Sequence, residues 1–315
     1  MPTNTPMTQP GWKGFIFSGM DHQGEFRRAA LELGISSDEI SRFSQHLRLS
    51  IGLSVGGGSP VGQLGGLPRL PMDMKWPSAG DAPLPLLLSV DCGALPRVDG
   101  FDLPADGTLL FFVDQEMDYA DSSGRYARVV HVPDGTETAV AEAPSSTCVR
   151  EQLDVSAELR AELPLWLREG DEDEDWHEFW EDLDWEDMSP FQQQLVRYME
   201  RDLPHLDELR ALAHGLWPSG AGVVIGGYAD AEVINSIAEQ TLAGREKAGQ
   251  ISAIPTVKWY SHLEKEKHRL TSEWISLARE SRVYEAYCTS FVIRHDDLAA
   301  ARVDKALAVT KFEAP

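Results

Sequence analysis

Cysteine is scarce in this chain: Cys92, Cys148 and Cys288 are odd in number, far apart and free of any CxxC spacing. That pattern excludes a disulfide framework and a cysteine zinc site, and it favours a reducing cytoplasm. No run approaches the eighteen apolar residues that would span a bilayer. The first segment, MPTNTPMTQPGWKGF, lacks the basic start and apolar core of a secretory signal. Basic residues are few, 28 Lys and Arg against 51 Asp and Glu, which leaves a formal net charge of −23. Such a surface repels nucleic acid and anionic membrane, and the partner it favours is a basic protein. Catalytic motifs are missing as well: there is no GxSxG elbow, no HExxH and no cysteine recognisably paired with a histidine. Cys92 reads as a small half-buried residue at a strand end rather than a nucleophile. Nothing calls for a cofactor.

What is present, over 315 residues, is a change of grammar along the chain. Residues 1–15 read as a disordered tail. Residues 16–50 hold two short helices separated by Gly34, the second capped by Ser36 with Glu39 at capping-box distance. Residues 51–146 form a first β-rich part, in which PLLLSVD, GTLLFFVD and ARVVHVP read as strands with turns at Asp106-Gly107 and Asp134-Gly135. LLFFV is apolar on both faces, the mark of a strand buried on two sides. Residues 147–215 read as a helical, acidic insertion, and 216–315 as a second β-rich part with a helix over AEVINSIAEQTLAG and a charged polar segment, SHLEKEKHR. The order of elements in PLPLLLSVDCGALP…GTLLFFVDQ recurs in EWISLARESRV…YCTSFVIRHDDL and suggests an internal repeat. The expected fold is one α+β domain with mixed or antiparallel sheets.

Glycines at 56–58, 62, 65 and 66 invite a phosphate-cradle reading, yet no Lys-Ser or Lys-Thr follows them. Pro68, Pro71 and Pro77 instead hold the chain extended, and Trp76 offers a large ring to bury, so Gly65, Gly66 and these residues read as a structural loop. The PRLP match to a minimal PxxP ligand is too short to carry weight. With GGLPRLPMDMKWP, PLPLLLSVDCGALP, LPADGTLLFFVD and the terminal SFVIRHDDLAAARVDKA, the chain resembles the YwqG-like family, a bacterial domain of unknown function. The resemblance implies an α+β fold and no established reaction. Such families carry a glutamine where this chain has Ser89, and a Gly-Tyr-Pro turn followed by a glutamine where it has Gly227-Tyr228-Ala229 and later Asn235.

His295-Asp296-Asp297 is the best metal-like cluster, but it reads as a helix cap, with Asp296 or Asp297 accepting from free NH groups of a helix beginning at Leu298. His262 and His268, six apart, do not share a helical face, and no metal site is expected. The segment exceeding ordinary expectation is DEDEDWHEFWEDLDWED, Asp171 to Asp187, with eleven acids in seventeen positions and no Lys or Arg. Its simplest reading is a solvated acidic loop leading into a helix whose aromatic stripe is buried. Its functional reading is a docking surface made by Trp176, Glu178, Trp180, Asp184 and Trp185, where aromatic anchors supply contact and acids steer a basic partner. The leading expectation is thus a non-enzymatic cytoplasmic interaction module, immunity or antitoxin-like. The alternative is an enzyme or small-molecule binder with a pocket between the two β-rich parts, for which Asp73, Trp76, Asp91 and Tyr228 are the candidate residues.

Overall fold

Ser36 behaves as its sequence context requires: its side chain accepts from the Glu39 NH at 3.2 Å and starts a helix. In the computed structural model, which describes residues 22–121, 124–163, 202–217, 222–281 and 287–312, that helix is α2 (Ser37–Ser44). It follows α1 (His22–Glu32) through a left-handed Gly34 (φ 83°). The capping box is not closed, because Glu39 turns away from its own helix. Its carboxylate accepts from the backbone NH of His205 at 2.6 Å and meets His205 Nδ1 at 2.9 Å. That contact ties α2 to the segment that leads into a later helix.

The two β-rich parts form one sheet rather than separate ones. In chain order its strands are β1 (Arg48–Val55), β2 (Gly62–Leu64), β6 (Leu86–Asp91), β7 (Thr108–Val113), β8 (Ala127–Val132), β10 (Leu153–Glu162), β11 (Val223–Gly226), β12 (Trp274–Ser281), β13 (Tyr287–Arg294) and β14 (Leu307–Phe312). They are ordered β14-β13-β12-β11-β1-β10-β2-β6-β7-β8, and every neighbouring pair is antiparallel. The sheet curls until its edge strands β8 and β14 approach each other, so it nearly closes into a barrel. Phe111 of β7 and Phe291 of β13 meet edge-on inside at 5.1 Å between ring centroids. They sit in the main core with Ile51, Leu53, Leu109, Ile225 and Ile293.

The region from 147 onward is not helical at its start, contrary to expectation. LDVSAELRAE forms β10, which pairs with β1 from Arg48↔Glu162 to Val55↔Val155 and lies in the middle of the sheet. Its Glu, Ala, Leu and Arg are good helix formers, but eight positions of strand pairing override that preference. The acidic aromatic segment and all five partner-binding residues lie outside the described residues.

Among the described residues, two groups of helices pack on the outside of the sheet. α1, α2 and α4 (Leu206–Leu216) share a core built on Phe26, Phe43, Leu209 and Trp217. α5 (Ala231–Lys247) and the eighteen-residue α6 (Thr256–Glu273) pack over Trp274 and Val292. The charged segment SHLEKEKHR is therefore helix. Its buried turn is held by Leu263 and Leu270 with Glu266 between them, and Glu266 is paired with Arg269 at 2.6 Å. The short α3 (Gln115–Asp121) follows β7, and α7 (His295–Ala299) follows β13. α7 starts three residues earlier than expected and uses no side-chain cap. Asp297 instead holds Arg302 at 2.7 Å.

GGLPRLPMDMKWP explains why LLFFV is apolar on both faces. Leu109, Phe111 and Val113 point into the barrel core, while Leu110 and Phe112 join Leu70, Leu84 and Trp76 outside it. The loop contributes β3 (Arg69–Pro71), paired with β9 (Thr138–Val140), and leads through β4 (Ser78–Ala79) and β5 (Ala82–Pro83). Trp76 Nε1 donates to the Leu84 carbonyl at 2.8 Å, and its ring meets Phe112 edge-on at 6.1 Å. Gly65 and Gly66 supply left-handed turns (φ 58° and 70°) at the start of this cover.

Candidate functional site

A cavity of about 230 Å³ opens where the N-terminal helices, β1, the loop after β6 and the ends of β11, β12 and β13 meet. Its walls are aromatic on one side: Phe26 from α1, Trp217 at the end of α4, and Phe101 from the loop. Phe26 and Trp217 stack with centroids 6.3 Å apart, and His22 meets Trp217 edge-on at 6.1 Å. Phe101 can press close because Gly226 offers no Cβ: an added methyl would stand 3.1 Å from the Phe101 ring. The polar part of the lining centres on Arg48, the first residue of β1.

Arg48 is held from behind. Its guanidinium lies over the Tyr228 ring, 4.2 Å from the centroid, a cation–π contact that fixes its plane. Tyr228 is itself clamped, its hydroxyl donating to the His46 carbonyl at 2.7 Å and its backbone NH to Glu162 Oε2 at 3.0 Å. Glu162 also binds Arg279 at 3.1 Å. Burial raises the Tyr228 phenol above its ordinary value, so it stays a donor. Arg48 Nη2 donates to the Thr271 carbonyl at 3.5 Å, and among the described residues Nη1 is buried with no acceptor.

His295, the first residue of α7, stands on the same wall. Burial first, and then the Arg48 charge, hold its imidazole below the usual histidine value despite Asp102 and Asp296, so it is neutral at pH 7. Asp99 lines the cavity as an exposed acid. One fixed cation, a neutral imidazole and aromatic walls can take up an anion attached to an apolar body. Among the described residues no three of His, Cys, Asp and Glu gather as a metal site would require.

None of the four residues expected to share a pocket lines this cavity. Tyr228 stands behind Arg48, beside Gly227 on the cavity wall. Asp73 is exposed in the signature loop, and Trp76 is spent on packing over β7. Asp91 closes a turn by accepting from the Gly93 NH at 2.8 Å. Neither Ser89, half-buried on β6, nor Asn235, bonded to Glu239 at 3.0 Å, lines the cavity. Cys92 is buried, and its thiol is pushed up to about 11, which keeps it protonated and poorly nucleophilic. Sequence reasoning missed Arg48, Glu162 and Arg279, and it read His295 only as part of a cap. An arginine opening a strand carries no local signal of its role.

A second polar cluster lies at the barrel seam. Gln115 Nε2 donates to Glu280 at 2.9 Å and Thr289 at 3.0 Å, Arg150 donates to Gln115 at 2.6 Å, and Thr289 meets Thr310 at 3.0 Å. Its members join α3 to β12, β13 and β14.

The chain belongs to the family of the Domain of unknown function (DUF1963), whose model matches residues 62–311. No curated protein matches it.

Proposed function

We propose that this protein binds a small organic anion in the cavity where its N-terminal helices meet the ends of the sheet strands. The observation that carries the reading is Arg48: a guanidinium stacked on Tyr228, in the wall of a cavity that Phe26, Phe101 and Trp217 also line. Specific ligand sites combine apolar walls with a few placed polar groups, and this cavity has that composition. Thermal unfolding of the wild type and of Arg48→Gln across a library of organic anions tests it. A ligand at about 100 times its Kd should raise the wild-type Tm by roughly 5 °C and the variant's by much less. If no anion separates the two proteins, the reading fails.

A second reading rests on composition. The acidic aromatic segment, with Trp176, Glu178, Trp180, Asp184 and Trp185, supports a cytoplasmic interaction module, immunity or antitoxin-like, that binds a basic protein. Recovering partners from the native host with and without residues 171–187 tests it, and an unchanged partner set would end it. The closer YwqG-like kinship is supported by GGLPRLPMDMKWP. The repeat is supported by the order of elements, since β6, β7, α3 and β8 on one side of the sheet answer β12, β13, α7 and β14 on the other.

A further inference from the structure

We infer that the ligand of this cavity is an aryl monocarboxylate of one ring or two fused rings. The inference rests on reading the cavity as an anion site and narrows its chemistry by size, wall and charge.

Size comes first. An apolar cavity of about 150 Å³ holds benzene, so about 230 Å³ holds a ring with a short acidic side chain or a small fused ring. A nucleotide does not fit. The walls favour a flat, apolar body. Phe26, Trp217 and Phe101 are nearly fully buried; Phe26 stacks on Trp217, and His22 and Trp217 meet edge to face. Aromatic pairs in such offset or edge-on arrangements gain beyond simple burial.

Charge sets the head group. Arg48 is the cation that lines the cavity, and its planar fork matches a carboxylate's two oxygens. Its stacking on Tyr228 fixes the orientation before ligand arrives, so little is lost in ordering it. Asp99 on the lining, with Asp102 and Asp296 acting on His295, opposes a second negative charge. A phosphate monoester or a dicarboxylate would leave one charge facing acids, whereas a monocarboxylate would not.

Calorimetric titration of the full chain with benzoate, indole-3-acetate, phenyl phosphate, succinate and benzyl alcohol tests this. The aryl carboxylates should bind at one site, with the other three at least about tenfold weaker. Arg48→Gln should weaken the aryl carboxylates by about 10- to 100-fold. Ser44→Phe, which leaves the charge in place and fills the cavity from α2, should abolish binding and covers the case in which Arg48→Gln does not fold. If phenyl phosphate or succinate binds as tightly and through Arg48, the aryl monocarboxylate is overturned while the anion cavity stands. Should none of the five bind, or should neither variant change the binding, both readings fall.

Discussion

Gly227 is the position where a single methyl group should be felt at both the fold and the site. It has φ 79°, a left-handed conformation that costs a residue with a Cβ about 1 kcal/mol. Space is lacking as well: a Cβ there would stand 2.6 Å from the Glu162 Cδ and closer still to its Oε2. Glu162 can swing away only by giving up the Tyr228 NH at 3.0 Å and Arg279 at 3.1 Å. A hydrogen bond to a charged group contributes about 1.5–3 kcal/mol, and Arg279 is 27% exposed, so the ion pair itself is partly screened by solvent. Gly227→Ala should therefore destabilise the protein by about 3 kcal/mol, read as a lower midpoint in urea with an unchanged slope.

The two causes separate in a double-mutant cycle. In a Glu162→Ala background the obstructing carboxylate is gone, and adding Gly227→Ala should cost only about 1 kcal/mol, the backbone share. Equal losses in both backgrounds would refute the steric argument, as would a loss below about 1 kcal/mol in the wild type. The same substitution displaces Tyr228, on which Arg48 rests, so it should also weaken aryl carboxylate binding with Arg48 intact.

Trp76→Phe keeps a ring over Phe112 but leaves the buried Leu84 carbonyl without its donor, and should cost about 1–3 kcal/mol by urea unfolding. Acid should destabilise the fold between about pH 7 and 5. His46, lowered by burial and by His268, and His295, lowered by burial and by Arg48, take up protons more readily when unfolded. Their contribution is thus present above the ordinary histidine value and is lost as pH falls through it. His205 runs the other way. Glu39 raises it, so its contribution is full at low pH and is lost as pH rises through its raised value. Urea midpoints of His46→Gln and His295→Gln across this range should show a flatter acid decline, and an unchanged slope would remove these groups as the cause.

Local chemistry was readable where one segment contains its own reason. The strands β6, β7 and β8 follow from alternating or continuous apolar runs bounded by Asp-Gly turns, and α2 follows from Ser36. What escaped was set by partners far away in sequence. LDVSAELRAE has helix-forming composition and becomes a strand only because β1 lies beside it. The α6 stripe was hidden because Glu266 occupies a core-facing turn, a place a carboxylate tolerates only when paired with Arg269 and Arg245. One sheet in place of two β-rich parts was equally hidden, since β1 and β10, which join the halves, come from opposite flanks of the first part. The cavity was least legible, because its aromatic wall, its cation and its imidazole come from positions between 22 and 295.

The span of the family match sharpens what kind of site this is. Tyr228, Phe101, Trp217, Glu162 and His295 lie within residues 62–311, while His22, Phe26 and Arg48 precede them. The matched domain thus supplies the platform, part of the aromatic wall and the imidazole, and the preceding segment supplies the cation. That segment is no loose appendage. β1 pairs with β10 through eight positions and with β11 through four, so it occupies the centre of the sheet, and Arg48 is fixed at its first residue. Against a net charge of −23, long-range electrostatics oppose an incoming anion, and screening over about 10 Å leaves the local field to decide. The half-buried, pre-oriented guanidinium at the start of the central strand β1 is the group that reverses the sign locally. Selectivity for a single negative charge then follows from its isolation: one cation with acids at the margin can neutralise one carboxylate and no more.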